Sequence, residues 1–303
     1  MIRKLLLWAS DNPWMAQRLP RRRFVRKAVR RFLPGEGREA ALVAAEGLAK
    51  RRLGAVFTLL GENVETPEEV EAVAQEYLAL LSDISTRGLD AEISIKLTQF
   101  GFDLDRARAV LAVDRLAKAA KEAGSYLWID MEGTTYLRGT LACFREILET
   151  GSEAGLCIQA YLRSSPQDLE DLLHLKPSIR IVKGAYSEPD SLAFPKRAEV
   201  DEAYFDLVTR GLQGGARMAV ATHDGTLIER IRRWVREKEI PTDRYEFQML
   251  FGIQPRAQDR LAQEGEPTRV LISYGPSWFP WYMRRLAERP ANLWFVVKNL
   301  FLR

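Results

Sequence analysis

Histidine and cysteine are scarce, with two of each in 303 residues. His174 falls in a helical pattern and His223 at the end of an apolar run, so no histidine-rich metal site can be built, and no metal is expected. Cys143 and Cys157 have neither metal-ligand nor redox spacing and read as buried free thiols in a reducing compartment. Long hydrophobic runs are also missing. The apolar stretch Leu5-Leu6-Leu7-Trp8-Ala9 is too short for a signal-peptide core or a bilayer span. No Gly-x-Gly-x-x-Gly follows an early strand, which argues against a doubly wound dinucleotide fold. The body lacks basic patches interleaved with aromatics, so no nucleic-acid partner is expected.

What is present is an ordinary globular composition, 47% hydrophobic, with enough length for a large core. The net charge of +4 is unevenly placed: residues 1–35 hold ten Lys and Arg against Asp11, leaving the remainder at net −5. The basic segment reads as solvated helices covering one end of the body, with weak contact to an anionic membrane surface as its other use.

Short β-prone runs at 55–60, 92–95, 126–129, 156–158, 179–182, 218–221, 245–247 and 270–272 alternate with amphipathic stretches at 67–81, 105–123, 140–150, 167–174, 201–211 and 226–237. Eight strand–helix units of near-equal length predict an α/β fold, a (β/α)8 TIM-type barrel. The expected division is an N-terminal helical segment, residues 1–50, and a barrel catalytic domain, residues 51–303.

Barrel enzymes carry their chemistry where strands end. Those positions read Glu62-Asn63, Lys96, Asp130, Gln159, Lys183, Thr222-His223, Gln248 and Ser273-Tyr274, a polar group at every exit. Singly, each could be a cap or a rim ion pair; together they mark a site without naming its chemistry. Lys96 and Lys183 suit a Schiff base, a phosphate clamp or pairing with Asp130, and His223 a base, a metal ligand or a hydrogen bonder to a ligand ring. Arg180 lies inside the fifth strand, where an inward guanidinium without a partner implies a polar ligand. Gly184 allows close backbone approach. Near the C-terminus, Arg284 and Glu288 stand at i, i+4 and Arg285 and Glu288 at i, i+3, a fork suited to a planar carboxylate. The competing reading of that fork is a solvated helix with surface ion pairs.

Leu60-Gly61-Glu62-Asn63-Val64, Ile93-Ser94-Ile95-Lys96-Leu97-Thr98-Gln99, Ile129-Asp130-Met131-Glu132, Ile158-Gln159-Ala160-Tyr161-Leu162, Arg180-Ile181-Val182-Lys183-Gly184-Ala185-Tyr186, Ala221-Thr222-His223-Asp224, Phe247-Gln248-Met249-Leu250 and Arg284-Arg285-Leu286-Ala287-Glu288 resemble successive blocks of the bacterial monofunctional proline dehydrogenase family. The resemblance covers essentially the whole chain. It implies a barrel with extra N-terminal helices and a C-terminal helix closing the strand ends, and FAD held without a covalent bond. It puts Lys96, Arg284, Arg285 and Glu288 around the amino acid, Asp130 as a catalytic acid paired with the lysine, and Arg180 beside the flavin's reacting nitrogen. The implied flavin contacts are Met131, Gln159, Lys183, Gly184, Ala185, Thr222 and His223. The implied reaction takes L-proline to 1-pyrroline-5-carboxylate and passes electrons to a quinone-type acceptor. A cytoplasmic location is expected, with peripheral contact to the inner face of the membrane as the alternative use of the basic N-terminal segment.

Where the family pattern reads Tyr-x-Pro-x-Gly, this chain has Leu271-Ile272-Ser273-Tyr274-Gly275. Leu271 therefore stands where a substrate-facing tyrosine is expected, with Tyr274 as a further pocket candidate. This departure keeps open another cyclic or N-substituted amino acid, such as 4-hydroxyproline, as substrate. A lysine Schiff-base aldolase without flavin and a non-enzymatic membrane-surface scaffold are the readings from other classes.

Overall fold

The computed structural model describes Val29 and residues 31–279. The expected N-terminal helices before residue 29, the paired arginines Arg284 and Arg285, Glu288 and the closing C-terminal helix lie outside the described residues.

Eight strands form a closed, all-parallel barrel in chain order: β1 (Gly54–Leu59), β2 (Ala91–Ile95), β3 (Leu127–Ile129), β4 (Gly155–Gln159), β5 (Ser178–Val182), β6 (Arg217–Ala221), β7 (Tyr245–Leu250) and β8 (Thr268–Tyr274). β8 pairs back onto β1 from Gly54↔Arg269 to Leu59↔Tyr274. Helices α2 (Pro67–Arg87), α3 (Arg106–Glu122), α4 (Thr134–Glu149), α5 (Ser165–Leu173), α6 (Arg197–Gln213), α7 (Gly225–Glu237) and α8 (Pro255–Gln263) separate successive strands. Ahead of β1, helix α1 (Arg38–Ala49) packs on both β1 and β8 and buries Ala41, Leu42, Ala45 and Leu48 there.

Local chemistry sets the helix ends. Thr66 accepts from the Glu69 N–H while Glu69 reaches back to the Thr66 N–H; Pro67 opens the first turn, and Gly88 at φ 60° ends α2. Asp105 caps α3 and Asp224 caps α7, each through its carboxylate. Helix α4 starts well before the predicted 140, because Glu188 accepts from both the N–H and the hydroxyl of Thr134, a partner 54 residues away that no local pattern reveals. β7 and β8 likewise run past their predicted ends, so Gln248, Ser273 and Tyr274 lie within strands rather than after them. Gln248 and Ser273 are buried.

The barrel interior has three tiers. At the amino ends, Glu92, Arg217, Glu246 and Arg269 form an ionic layer: Arg217 Nη2 lies 2.9 Å from Glu246 and 3.3 Å from Glu92, and Arg269 Nε 3.0 Å and 3.4 Å from the same two. Burial, then the neighbouring Glu246, pushes the Glu92 carboxyl above its ordinary range. Above this layer Val56, Trp128 and Ala219 pack with Leu271. The third tier holds Ser94, Asp130 and Arg180.

Candidate active site

Asp130 is set by the end of β3, where its N–H donates to Ile95 O at 2.8 Å and continues the ladder to β2. One β2 residue below Ile95, Ser94 faces inward, its backbone oxygen held by the Tyr77 hydroxyl at 2.8 Å. Arg180 reaches across from the middle of β5. Its Nη1 donates to Asp130 Oδ1 at 2.9 Å and to Ser94 Oγ at 2.8 Å, and Ser94 Oγ donates to Asp130 Oδ1 at 2.9 Å. Arg180 is 2% exposed. Asp130 supplies the countercharge and one of the acceptors that a buried guanidinium needs. Yet Nε and Nη2 have no partner among the described residues. A buried guanidinium with two unsatisfied nitrogens is costly unless something polar meets them.

Lys96 is not the partner of Asp130, as the resemblance implied. Its Nζ donates to Gly61 O at 3.1 Å and lies 3.6 Å from Glu62, because Lys96 leads into the short 3₁₀ turn Leu97–Phe100 and swings toward the loop after β1. Asp130 Oδ1 is already engaged by Ser94 and Arg180.

Next to this pair the structure brings together most of the remaining predicted residues. Gln159, at the end of β4, donates to Met131 O at 3.2 Å and leaves its Oε1 buried without a partner among the described residues. Gln248 Oε1 and Ser273 Oγ share that condition. After β5, Lys183 binds Asp201 and also Asp224, the latter at 2.8 Å. Gly184 has φ +112°, and a Cβ there would stand 2.2 Å from the Tyr161 ring, so only glycine fits. Ala185 is exposed beside it. After β6, Thr222 Oγ1 accepts from Asp224 N–H at 3.1 Å, and His223 Nε2 accepts from Leu250 N–H at 2.9 Å, leaving Nδ1 to carry the proton. Burial alone would raise the Asp224 carboxyl, but hydrogen bonds from Lys183 and Arg197 outweigh it and hold the group well below the ordinary range.

Tyr274 is not part of this assembly. It follows Ser273 by one residue on a strand, so it turns outward and is buried on the helix side, where Tyr77, Glu76 and Arg38 are its electrostatic neighbours. Burial, then Tyr77 and Glu76, raises its hydroxyl. Leu271 does face the interior, one tier below Asp130 and Arg180, beside Val56, Trp128 and Ala219.

Sequence reasoning missed Ser94, Trp128 and Glu132. The first two each stand two residues before a predicted site residue, so strand periodicity would have found them. Glu132 is buried and accepts from the N–H of Thr98 at 3.2 Å and its hydroxyl at 2.7 Å, tying the loop after β3 to the turn after β2. Among the described residues no cluster of three His, Cys, Asp or Glu side chains is placed to hold a metal.

A closed parallel barrel that gathers under-satisfied buried polar groups at the carboxyl ends of its strands defines a (β/α)8 enzyme scaffold. The family model for proline dehydrogenase matches residues 41–298. Over 300 residues the chain is 36% identical to proline dehydrogenase 1 of Bacillus subtilis subsp. natto, covering 99% of both chains. Against the proline dehydrogenase of Deinococcus radiodurans it is 36% identical over 305 residues, covering 99% of this chain and 98% of that one. Among solved structures, proline utilization A from Bdellovibrio bacteriovorus, inactivated by N-propargylglycine, superposes with a TM-score of 0.84 at 21% identity, over all of this chain and 38% of its own length. The chain belongs to the proline dehydrogenase family.

Proposed function

We propose that this chain oxidises L-proline to 1-pyrroline-5-carboxylate with FAD bound at the carboxyl ends of the strands. Family membership supports the reaction, and the single structural observation that carries it is Arg180: buried, fixed on one side by Asp130 and Ser94, with two nitrogens still lacking a partner among the described residues. The residues present fit the cofactor. Gln159, with its orphaned amide oxygen, and Met131 would hold one side; Lys183, Gly184 and Ala185 would follow the phosphate-bearing chain, Gly184 giving backbone access; Thr222 and His223 would complete the cradle. When bound, FAD accepts the hydride lost from the ring carbon next to nitrogen.

The protein's part is placement and electrostatics. Arg180 sets a fixed positive charge where negative charge builds, and Asp130 with Ser94 keeps it from relaxing. Arg284 and Arg285, steered by Glu288, are proposed to grip the carboxylate, with Lys96 beside the ring. The nitrogen must lose one proton as the carbon loses hydride, so two electrons and two hydrogens leave proline and the cyclic imine remains.

Lysine Schiff-base chemistry is disfavoured, because Lys183 is engaged by two carboxylates and Lys96 by Gly61 and Glu62. A second substrate reading, 4-hydroxyproline or a similar ring, is kept by the inward-facing Leu271 and the orphaned Ser273 hydroxyl. No helix of the described residues is long and apolar enough to cross a membrane. A quinone acceptor, a cytoplasmic location and a loose contact of the basic N-terminal segment with anionic lipid complete the proposal. Anaerobic mixing of the purified protein with L-proline tests it: bleaching of bound flavin and release of a trappable cyclic imine are expected. A protein that stays colourless after incubation with excess FAD overturns it.

A further inference from the structure

Arg180 has a neighbour that the proposed reaction does not use. Its guanidinium carbon lies 4.6 Å from the centroid of the Trp128 ring, and both residues are fully buried. Trp128 is itself fixed from two directions. Its indole N–H donates to Glu92 Oε2 at 2.6 Å, and Glu92 is locked between Arg217 and Arg269 in the ionic layer. The ring also lies across β4 at Gly155, where an added Cβ would stand 2.3 Å from it; Gly155 is the gap that admits the indole.

We propose that Trp128 is a positioning residue for Arg180: an anchored aromatic platform under the guanidinium, which keeps Nη1 on Asp130 and Ser94 and the remaining nitrogens committed to the reaction site. The geometry supports this over plain core filling. Core filling does not require a ring face under the guanidinium at 4.6 Å, and an arginine held only by Asp130 and Ser94 through one nitrogen could still pivot about that nitrogen. A ring face below the guanidinium attracts it electrostatically and removes that freedom, most strongly where water is excluded. The ionic layer thereby steadies the site two tiers above it through Glu92 and Trp128, without touching substrate or cofactor. This inference rests on the reading of Arg180 given above.

The test uses the FAD-loaded protein with Trp128→Phe, Trp128→Leu, Gly155→Ala and Arg180→Ala, each read for flavin content, kcat and KM for L-proline, and the midpoint potential of the bound flavin. Trp128→Leu is expected to lower kcat about 10-fold, the scale of a desolvated cation–π contact, with little change in KM. The potential should move negative, since a displaced cation stabilises the reduced ring less. Trp128→Phe, which keeps a ring face, should stay within about threefold of the parent. Gly155→Ala keeps every atom of the indole but pushes it aside, and should move kcat and potential in the same direction as Trp128→Leu. In an Arg180→Ala background, Trp128→Leu should add almost nothing.

Parental kcat and potential in Trp128→Leu would overturn the inference, as would effects of Trp128→Leu and Arg180→Ala that simply multiply. If Trp128→Leu does not fold, parental values in Gly155→Ala overturn it equally. A slow Arg180→Ala beside an unaffected Trp128→Leu sinks the platform alone. A parental Arg180→Ala sinks the functional reading of Arg180 and the platform with it.

Discussion

Replacing Asp130 by Ala strands the Arg180 charge, and the structure sets the scale of that loss. The Arg180 side chain is 3% exposed and Asp130 24%, at 2.9 Å. Breaking a buried pair by removing one partner costs about 3–5 kcal/mol. Two features pull the figure down: water already reaches the rim of Asp130, and Arg180 retains Ser94 Oγ, a bond of about 1 kcal/mol. A loss of about 2–4 kcal/mol in unfolding free energy is expected for Asp130→Ala. Adding Arg180→Met removes the stranded charge while filling most of its volume, so the double variant should recover about 1–3 kcal/mol of that loss. Urea unfolding of FAD-free protein, followed by circular dichroism at equal m, measures all of these. Stability losses that add across the two positions, with no recovery in the double variant, would show that the pair is not a coupled buried unit. Both variants should lose flavin reduction by proline whatever their stability.

Gly184→Ala should weaken FAD retention and cost about 1–3 kcal/mol of stability, from backbone strain at φ +112° and the Tyr161 ring in its path; undiminished flavin content refutes the close approach. The Asp224 carboxyl is held below its unfolded value of about 3.9, so its contribution is complete above about pH 5 and is lost as pH falls through 4 and below. Asp224→Asn should therefore flatten stability against pH in that acid window, and an unchanged slope from pH 5 to 3 rejects the assignment. Burial pushes the Cys143 and Cys157 thiols up to about 12, so neither should react with a thiol reagent at pH 8 until the chain unfolds; fast labelling of native protein contradicts that. Leu271→Tyr should change the ranking of kcat/KM among proline, 4-hydroxyproline and pipecolate, on the order of 10–200-fold for a methylene-sized difference; an unchanged ranking removes Leu271 from the pocket.

The barrel was legible because eight apolar runs alternate with helical patterns, and a candidate site was marked out because each predicted run meets a polar group. What the one-dimensional pattern could not carry was direction and partnership. Ser273 and Tyr274 are adjacent in sequence and on opposite faces of β8, a distinction set by register across the barrel. Lys96 and Asp130 look like natural partners, yet each is claimed by a nearer group, Glu62 and Arg180. The ionic layer shows the same limit from the other side. Glu92, Arg217, Glu246 and Arg269 have the alternation of a solvent-facing strand edge, but Arg217 and Glu92 meet inside the barrel across 125 residues of sequence. Charge compensation at that range leaves no local mark.

The seam between β1 and β8 bears on how the molecule is made. Helix α1 lays its apolar face on both strands, but β8 leaves the ribosome more than two hundred residues after α1 does. At synthesis rates of about 5–20 residues per second, α1 and the free edge of β1 wait roughly 10–45 s for their last partner. Throughout that interval Leu42 and Leu48 and an unpaired strand lie open to other chains. The final closure joins the most distant parts of the sequence, so it should be the slow step of folding and the step most sensitive to crowding by sister chains.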